Sequence, residues 1–328
     1  MNYHQPKYSI IVPVYNEEPV IHSCWKRLTA VMKSLKEPYE IIFVNDGSQD
    51  RSKQILSHLI EQDAHIRLIN LSRNFGHQAA ITAGMDRAQG QAIIVIDADL
   101  QDPPELIPQM INQWKQGFQV VYGKRRQRSG ETFFKKITAK LFYRLLRFLT
   151  DIEIPVDTGD FRLIDRQVCD ALKRLPEKNR YIRGLISWLG FKQTSVEFVR
   201  EERLAGKTKY SLRKMLKLAT DGITSFSAKP LKLATISGLL LSGISFGYLL
   251  YVFYLKLLTA KTIIGWASLM AVNLFFYGFI LIILGIFGEY IGRIFNETQN
   301  RPLYIVDEDT RFSKFAYEDR FEDVQPVN

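Results

Sequence analysis

Residues 94–104 read IVIDADLQDPP, and this stretch decides the fold. The apolar run Ala92-Ile93-Ile94-Val95-Ile96 ends in two carboxylates one residue apart, Asp97 and Asp99. A buried strand that delivers Asp-x-Asp to its carboxyl edge puts hard oxygen ligands where open α/β sheets bind their ligands. Such oxygens suit Mg²⁺ or Mn²⁺ and, through the ion, a diphosphate. The same triplet is also common as a plain polar loop after a strand, so its neighbours must carry the reading.

Working outward, the first 125 residues alternate strand-like and helix-like stretches. Tyr8–Val14, Glu40–Asn45, Ile66–Leu71, Ala92–Asp97 and Gln119–Tyr122 are short and largely apolar. Helical spacing occupies Glu17–Leu35, Asp50–Gln62, Gln78–Gln89 and Pro104–Lys115, the last opened by Pro103-Pro104, since proline in a first turn loses no needed donor. This alternation predicts a mainly parallel sheet covered on both faces. Further on, FRLIDR and QTSVEFV (193–199) read as strands with two short helices between them, and Leu303–Val306 as a last short strand.

Each early strand ends in polar residues: Pro13-Val14-Tyr15-Asn16-Glu17-Glu18, Asn45-Asp46-Gly47-Ser48-Gln49-Asp50, Ser72-Arg73-Asn74-Phe75-Gly76-His77 and Asp97-Ala98-Asp99-Leu100-Gln101-Asp102. Ser48 or Asp50 alone would serve as a helix N-cap. Four successive strand ends of one sheet, however, converge on one crevice. His77 reads as a hydrogen-bonding loop residue rather than a metal ligand, because no other histidine stands at ligand spacing.

At 328 residues the chain exceeds a usual single domain. Residues 233–255 and 265–288 carry no charge, and each covers roughly 35 Å as a helix, enough for a ~30 Å hydrocarbon core. A single run of this kind could be a buried core helix; two in tandem predict a transmembrane hairpin. Lys209, Arg213, Lys214, Lys217, Lys229 and Lys232 precede the first run, against Lys256 and Lys261 in the link, which predicts both ends on the cytoplasmic side. The amino terminus lacks the pattern of a signal peptide. Cys24 and Cys169, the two cysteines, have no metal-ligand spacing and fit a reducing compartment.

The net charge of +10 is unevenly spread. Residues 124–147 hold nine basic side chains against Glu131, while the tail after Tyr304 is acidic. Nucleic acid or an anionic membrane surface would suit the basic cluster, and the adjacent spans favour the membrane. Within it, residues 133–149 place Lys136, Lys140, Arg144 and Arg147 on one helical face and Phe134, Ile137, Leu141, Leu145 and Phe148 on another, the pattern of an interfacial helix. Ser211–Phe226 is a second candidate. The expected organisation is a catalytic domain over 1–208, a juxtamembrane helix over 209–229, the hairpin over 230–292 and a strand with an acidic tail over 293–328. Asn273 is expected to make a polar contact between helices, and Glu289 with Arg293 a local ion pair.

With these pieces together the chain resembles the family 2 glycosyltransferases of GT-A (Rossmann-like) fold. Among them it is similar to the polyprenyl-phosphate glycosyltransferases, the group of dolichyl-phosphate mannose synthases and bactoprenol glucosyltransferases. The matching pieces are IVPVYNEE, FVNDGSQD, LSRNFGHQ, DADLQDPP, VDTGDFRL and RLAGKTKYS, followed by two spans, from about residue 9 to about residue 293. Thr208 stands where serine is commoner. The resemblance implies a nucleotide-sugar donor, UDP-glucose or UDP-N-acetylglucosamine, and a polyprenyl phosphate acceptor at the bilayer. It implies that Pro13, Tyr15, Glu17, Asp46, Asp97 and Ala98 hold the nucleotide sugar. Asp97, Asp99 and Gln101 would bind Mg²⁺ or Mn²⁺, and Arg125, Arg203, Lys207 and Lys209 would meet phosphates. Asp99 and Asp157 are the catalytic candidates.

A phosphate monoester is largely dianionic near neutral pH, with a second pKa of about 6, so it attacks without an obligatory general base. Either Asp157 or Asp160 could be named as a base; the weaker expectation is that Asp157 positions groups and tunes charge. Two other functions compete. A processive polysaccharide synthase would carry Gln-x-x-Arg-Trp, which this sequence lacks. A non-catalytic scaffold would be expected to have lost Asp99 or the basic loop, and both are present. No nucleic-acid partner is expected; two anchor helices leave faces on which further copies of the chain could pair.

Overall fold

The structure is a computed structural model and describes residues 5–125, 158–178, 180–199, 227, 229–258 and 265–310. These fall into two compact units: the first holds the sheet, its helices and the segment from Pro302, and the second holds two long helices.

Eight strands form one sheet: β1 (Tyr8–Val14), β2 (Tyr39–Asn45), β3 (Ile66–Leu71), β4 (Ala92–Val95), β5 (Val120–Arg125), β6 (Thr158–Asp165), β7 (Gln193–Phe198) and β8 (Val306–Asp309). Their order is β7-β5-β6-β4-β1-β2-β3-β8. The central block β4-β1-β2-β3 is wholly parallel, and β5 pairs in parallel with β7, whereas β6 runs antiparallel to β4 and β5 and β8 antiparallel to β3. The α/β class and mainly parallel sheet expected from the alternation are therefore present. The largely apolar runs have a direct cause: every residue of β1, β2, β3 and β4 is buried, as a parallel strand covered on both faces requires.

Crossovers α1 (Ile21–Ser34), α2 (Ser52–Gln62) and α3 (His77–Arg87) connect the parallel strands, and a 3₁₀ turn at Pro104–Leu106 leads into α4 (Ile107–Lys115). In α1 the buried positions Ile21, Cys24, Leu28 and Met32 make one stripe against the sheet. Each such fully buried side chain contributes about 1.5–3 kcal/mol of apolar transfer. Helices α5 (Arg166–Lys173) and α6 (Ile182–Trp188) follow β6; Asp165 caps α5 by accepting from the Gln167 N–H at 2.8 Å.

Three of the boundaries that differ from the sequence expectation have a cause in the surrounding contacts or bear on the site. Helix α1 starts at Ile21 rather than Glu17, because the backbone N–H groups of Asn16, Glu17 and Glu18 are used by side chains of the next loop, and Asn16 takes φ +54°. Strand β4 ends at Val95, leaving Asp97 beyond the ladder. The last strand is Val306–Asp309, not Leu303–Val306, since its place is set by polar contacts: Arg67 forks onto Asp309 at 2.8 and 2.6 Å, and Asn70 donates to Glu308 at 3.0 Å.

At the other end of the strands, Glu37 accepts from Lys7 (2.7 Å), Tyr8 (2.7 Å) and Lys115 (3.1 Å). These partners hold its carboxyl down to about 2. A depressed folded pKa stabilises above the unfolded value, near 4.5, and that contribution is lost as pH falls towards 2. Glu37→Gln is thus expected to flatten the acid limb: between pH 6 and 3 the melting temperature of the wild type falls further than the variant's.

In the second unit, α7 (Lys229–Leu258) and α8 (Trp266–Thr298) are long and apolar; Lys229–Tyr248 and Phe275–Thr298 suffice in length and composition to cross a bilayer. Leu239, Ile244, Phe246, Phe275, Leu281 and Ile282 are all exposed, which a soluble core helix would not show. Helix α8 runs ten residues past the expected end at 288 and carries the Glu289–Arg293 pair at 3.6 Å. The amphipathic segments 133–149 and 211–226 lie outside the described residues.

Candidate active site

The carboxyl ends of β1, β2, β3 and β4 carry the polar clusters, and side chains lace three of these loops together. Asn16, Glu17 and Glu18 donate their backbone N–H to Ser48 Oγ (3.0 Å), Ser52 Oγ (3.1 Å) and Asp50 Oδ2 (3.2 Å), while Gln49 N–H donates to Asn16 Oδ1 (2.8 Å). Ser48 thus ties two strand ends together instead of capping α2, and Asp50 adds a local bond from Ser52 N–H at 3.0 Å. Asp46 is buried, and its two oxygens accept from Phe75 N–H (2.7 Å) and Gly76 N–H (2.9 Å) after β3. Burial raises its pKa despite those bonds. Gly47 is required where these loops meet: its φ is +64°, and a Cβ there would lie 2.5 Å from the Arg73 carbonyl carbon.

Beside this scaffold lies a cluster of charge. His77 opens α3, not a loop as its sequence context suggests, with Nε2 3.1 Å from Asp160 Oδ2 and 3.5 Å from Asp97 Oδ1. Burial works against its charged form, but the Asp97 and Asp160 carboxylates outweigh it and lift the imidazole to about 9. Asp160 meets Arg183 Nε at 2.9 Å. Although burial opposes ionisation, Arg183, His77 and Arg162 together hold Asp160 far below the carboxylate range. Asp160 is thus held as a carboxylate and paired with Arg183 and His77.

Asp97 is the opposite case. Burial pushes it up to about 6; His77 resists, and Asp160, Asp99 and Asp102 add to the rise. The side chain is a third exposed, yet Oδ1 is shut off from solvent and accepts no hydrogen bond. Asp99 accepts the Gln101 N–H through Oδ1 at 3.2 Å, and Gln101 and Ala98 are buried around the turn. Asp102, also buried, lies 3.4 Å from Arg125 Nη2. Gly159 makes that pair possible, since a Cβ there would stand 2.8 Å from Arg125 Nη2 and 3.2 Å from Asp102 Oδ2.

Of the residues singled out from sequence, the structure brings Asp46, Asp97, Ala98, Asp99, Gln101 and Arg125 into this region, joined by Pro13 at the end of β1, exposed Tyr15 and Glu17. Asp157, Arg203, Lys207 and Lys209 lie outside the described residues. Sequence reading missed His77 and Arg183 as partners of Asp160, and gave Asp102 no role. For Asp102 a signal existed, the third acid of DADLQDPP; Arg183 sits in no motif. Among the described residues no three His, Cys, Asp or Glu side chains form a ready metal cage. The donor set fits an ion only where a ligand of its own supplies most of the oxygens, and Asp97 Oδ1, which accepts no hydrogen bond and has His77 Nε2 3.5 Å away, is the atom that would meet it.

Residues 9–173 match Glycosyl transferase family 2. The chain is 64% identical to the uncharacterized glycosyltransferase YkcC of Bacillus subtilis over 300 residues, 92% of this chain and 93% of that one. It is 47% identical to the uncharacterized glycosyltransferase sll0501 of Synechocystis (92% and 94%). It is 41% identical to the SfII prophage-derived bactoprenol glucosyl transferase of Shigella flexneri over 305 residues (93% and 99%).

Proposed function

The chain belongs to glycosyl transferase family 2, and from that premise we propose that it transfers a sugar from a nucleoside-diphosphate sugar to polyprenyl phosphate at the cytoplasmic membrane face, with inversion. The observation that carries this is Asp97 Oδ1, buried, without a hydrogen bond and next to Asp99 at the carboxyl end of β4. The acceptor class rests on the likeness to the bactoprenol glucosyl transferase across nearly its whole length and on two apolar helices with exposed faces.

In this reading Asp97, Asp99 and Gln101 hold Mg²⁺ or Mn²⁺, which supplies charge neutralisation to the departing diphosphate. Tyr15, Glu17 and Pro13 line the nucleoside, and Asp46 keeps its loop shut with lone pairs left for the base. Arg125 faces phosphate, balanced by Asp102, and Arg203, Lys207 and Lys209 receive the acceptor's phosphate. The acceptor dianion attacks the anomeric carbon in line and the bond to the diphosphate breaks; Asp157 positions rather than abstracts a proton. Donor and sugar are UDP with glucose or N-acetylglucosamine. Both termini face the cytoplasm, around a catalytic domain over 1–208 and a hairpin over 230–292.

Incubating the detergent-solubilised full chain with UDP-sugars and a short polyprenyl phosphate, with Mn²⁺ or with EDTA, tests this. Labelled sugar in the organic phase, abolished by EDTA, is expected. A water-soluble polymer would indicate a processive synthase, and absence of any nucleoside diphosphate release would indicate a scaffold; either overturns the reading.

A further inference from the structure

A line of side-chain hydrogen bonds runs from the last strand of the sheet to the loop after the first. Glu308 Oε2 on β8 accepts from Asn70 Nδ2 on β3 at 3.0 Å. Asn70 Oδ1 accepts from Asn45 Nδ2 on β2 at 2.9 Å, within a buried pair. Asn45 Oδ1 accepts the Ser48 N–H at 3.1 Å, and Ser48 Oγ accepts the Asn16 N–H at 3.0 Å. Asn16 is held in the left-handed region at φ +54°, directly between Tyr15 and Glu17. Every link is a single donor–acceptor pair, so the orientation of each amide is tied to that of its neighbour. An amide has one carbonyl and one NH₂ end, so Glu308, which only accepts, and the Ser48 N–H, which only donates, set the same order for Asn70 and Asn45 from the two ends of the line.

We propose that Glu308 is a positioning residue for the donor nucleotide: through Asn70, Asn45 and Ser48 it fixes the Tyr15–Glu17 loop in the conformation that binds the nucleoside. This rests on the reading of that loop as part of the donor site. No part of β8 touches the reacting atoms in this scheme; the strand that follows the apolar helices in sequence acts on the donor pocket across the width of two strands. A low-dielectric setting strengthens such a line, because Asn45 and Asn70 have no water to turn to if their order is lost. Lys53 also approaches Glu308 (3.5 Å) and Asp307 (3.9 Å), both half-exposed, and that contact is screened and weak by comparison.

The test is steady-state kinetics with UDP-sugar on the full chain in detergent, comparing wild type, Glu308→Ala, Glu308→Gln and Lys53→Ala, with melting temperatures alongside. Glu308→Ala is expected to raise the donor KM roughly three- to tenfold with kcat changed less than twofold, the loss expected of one buried polar link. Glu308→Gln, whose amide oxygen still accepts from Asn70, recovers most of that KM, and Lys53→Ala leaves it unchanged. A lower melting temperature with unaltered KM in Glu308→Ala would make the strand merely structural and overturn the inference, as would a Lys53→Ala variant that reproduces the KM rise. Failure of the wild type to bind UDP-sugar at all would instead overturn the functional reading beneath it.

Discussion

Asp99→Asn is expected to lower the rate of sugar transfer by roughly 10²–10³-fold, the scale on which removal of one preorganised electrostatic group slows an enzyme. The substitution keeps the size of the side chain and leaves an oxygen to accept the Gln101 N–H, so the turn Asp99-Leu100-Gln101 can persist. What it removes is one of the two neighbouring carboxylates at the end of β4. Asp97 alone then has to offer its charge to a cation. Nucleoside diphosphate release measured over a Mn²⁺ titration is the readout. The variant should need far more Mn²⁺ and stay slow at saturation, with a melting temperature close to that of the wild type. A loss smaller than tenfold would remove Asp99 from the catalytic machinery.

Asp160→Asn should act through stability instead. Its carboxylate lies between Arg183, His77 and the buried Arg162, whose own pKa burial has already lowered to about 10. Arg162 and Arg183 also donate to the Gly159 and Thr158 carbonyls at 2.8 Å each, so neither guanidinium can swing out to water without breaking the start of β6. His77 keeps Asp97 beside it, but neutralising Asp160 leaves the Arg162 and Arg183 charges without their carboxylate, which costs about 3–5 kcal/mol. Chemical denaturation of the solubilised protein measures this directly. Adding Arg183→Ala to the variant should recover part of the loss, because it withdraws one of the stranded charges; if the double variant is simply the sum of the two single ones, the pair is not coupled.

The central sheet was legible because its physics is one-dimensional. A strand buried on both faces is largely apolar, so Tyr8–Val14, Ile66–Leu71 and their neighbours announce themselves, and so do the acids that follow them at Asn45-Asp46 and Asp97-Ala98-Asp99. The pairing of distant charges was not legible in this way. Asp160 and Arg183 stand 23 positions apart with no periodic relation, and Asp102 meets Arg125 only because β5 and β6 run side by side with a glycine at position 159. Strand β8 misled for a related reason. Its sequence, VDED, has one apolar residue, and its register follows Arg67 and Asn70 on the neighbouring strand, information that no local window of the chain contains. The late start of α1 has the same origin, in N–H groups claimed by a loop more than thirty residues away.

That short acidic strand also bears on how the protein behaves in company. Strand β3 is wholly buried, and with its outer rim bare it would offer a row of unpaired amides to any passing extended chain. Four residues occupy the rim: Asp309 is held inward by Arg67, while Asp307 and Glu308 put negative charge on the outer edge. Copies that meet edge to edge are thereby kept from zipping sheet to sheet, and shortening the chain before Val306 is expected to leave a protein prone to clump.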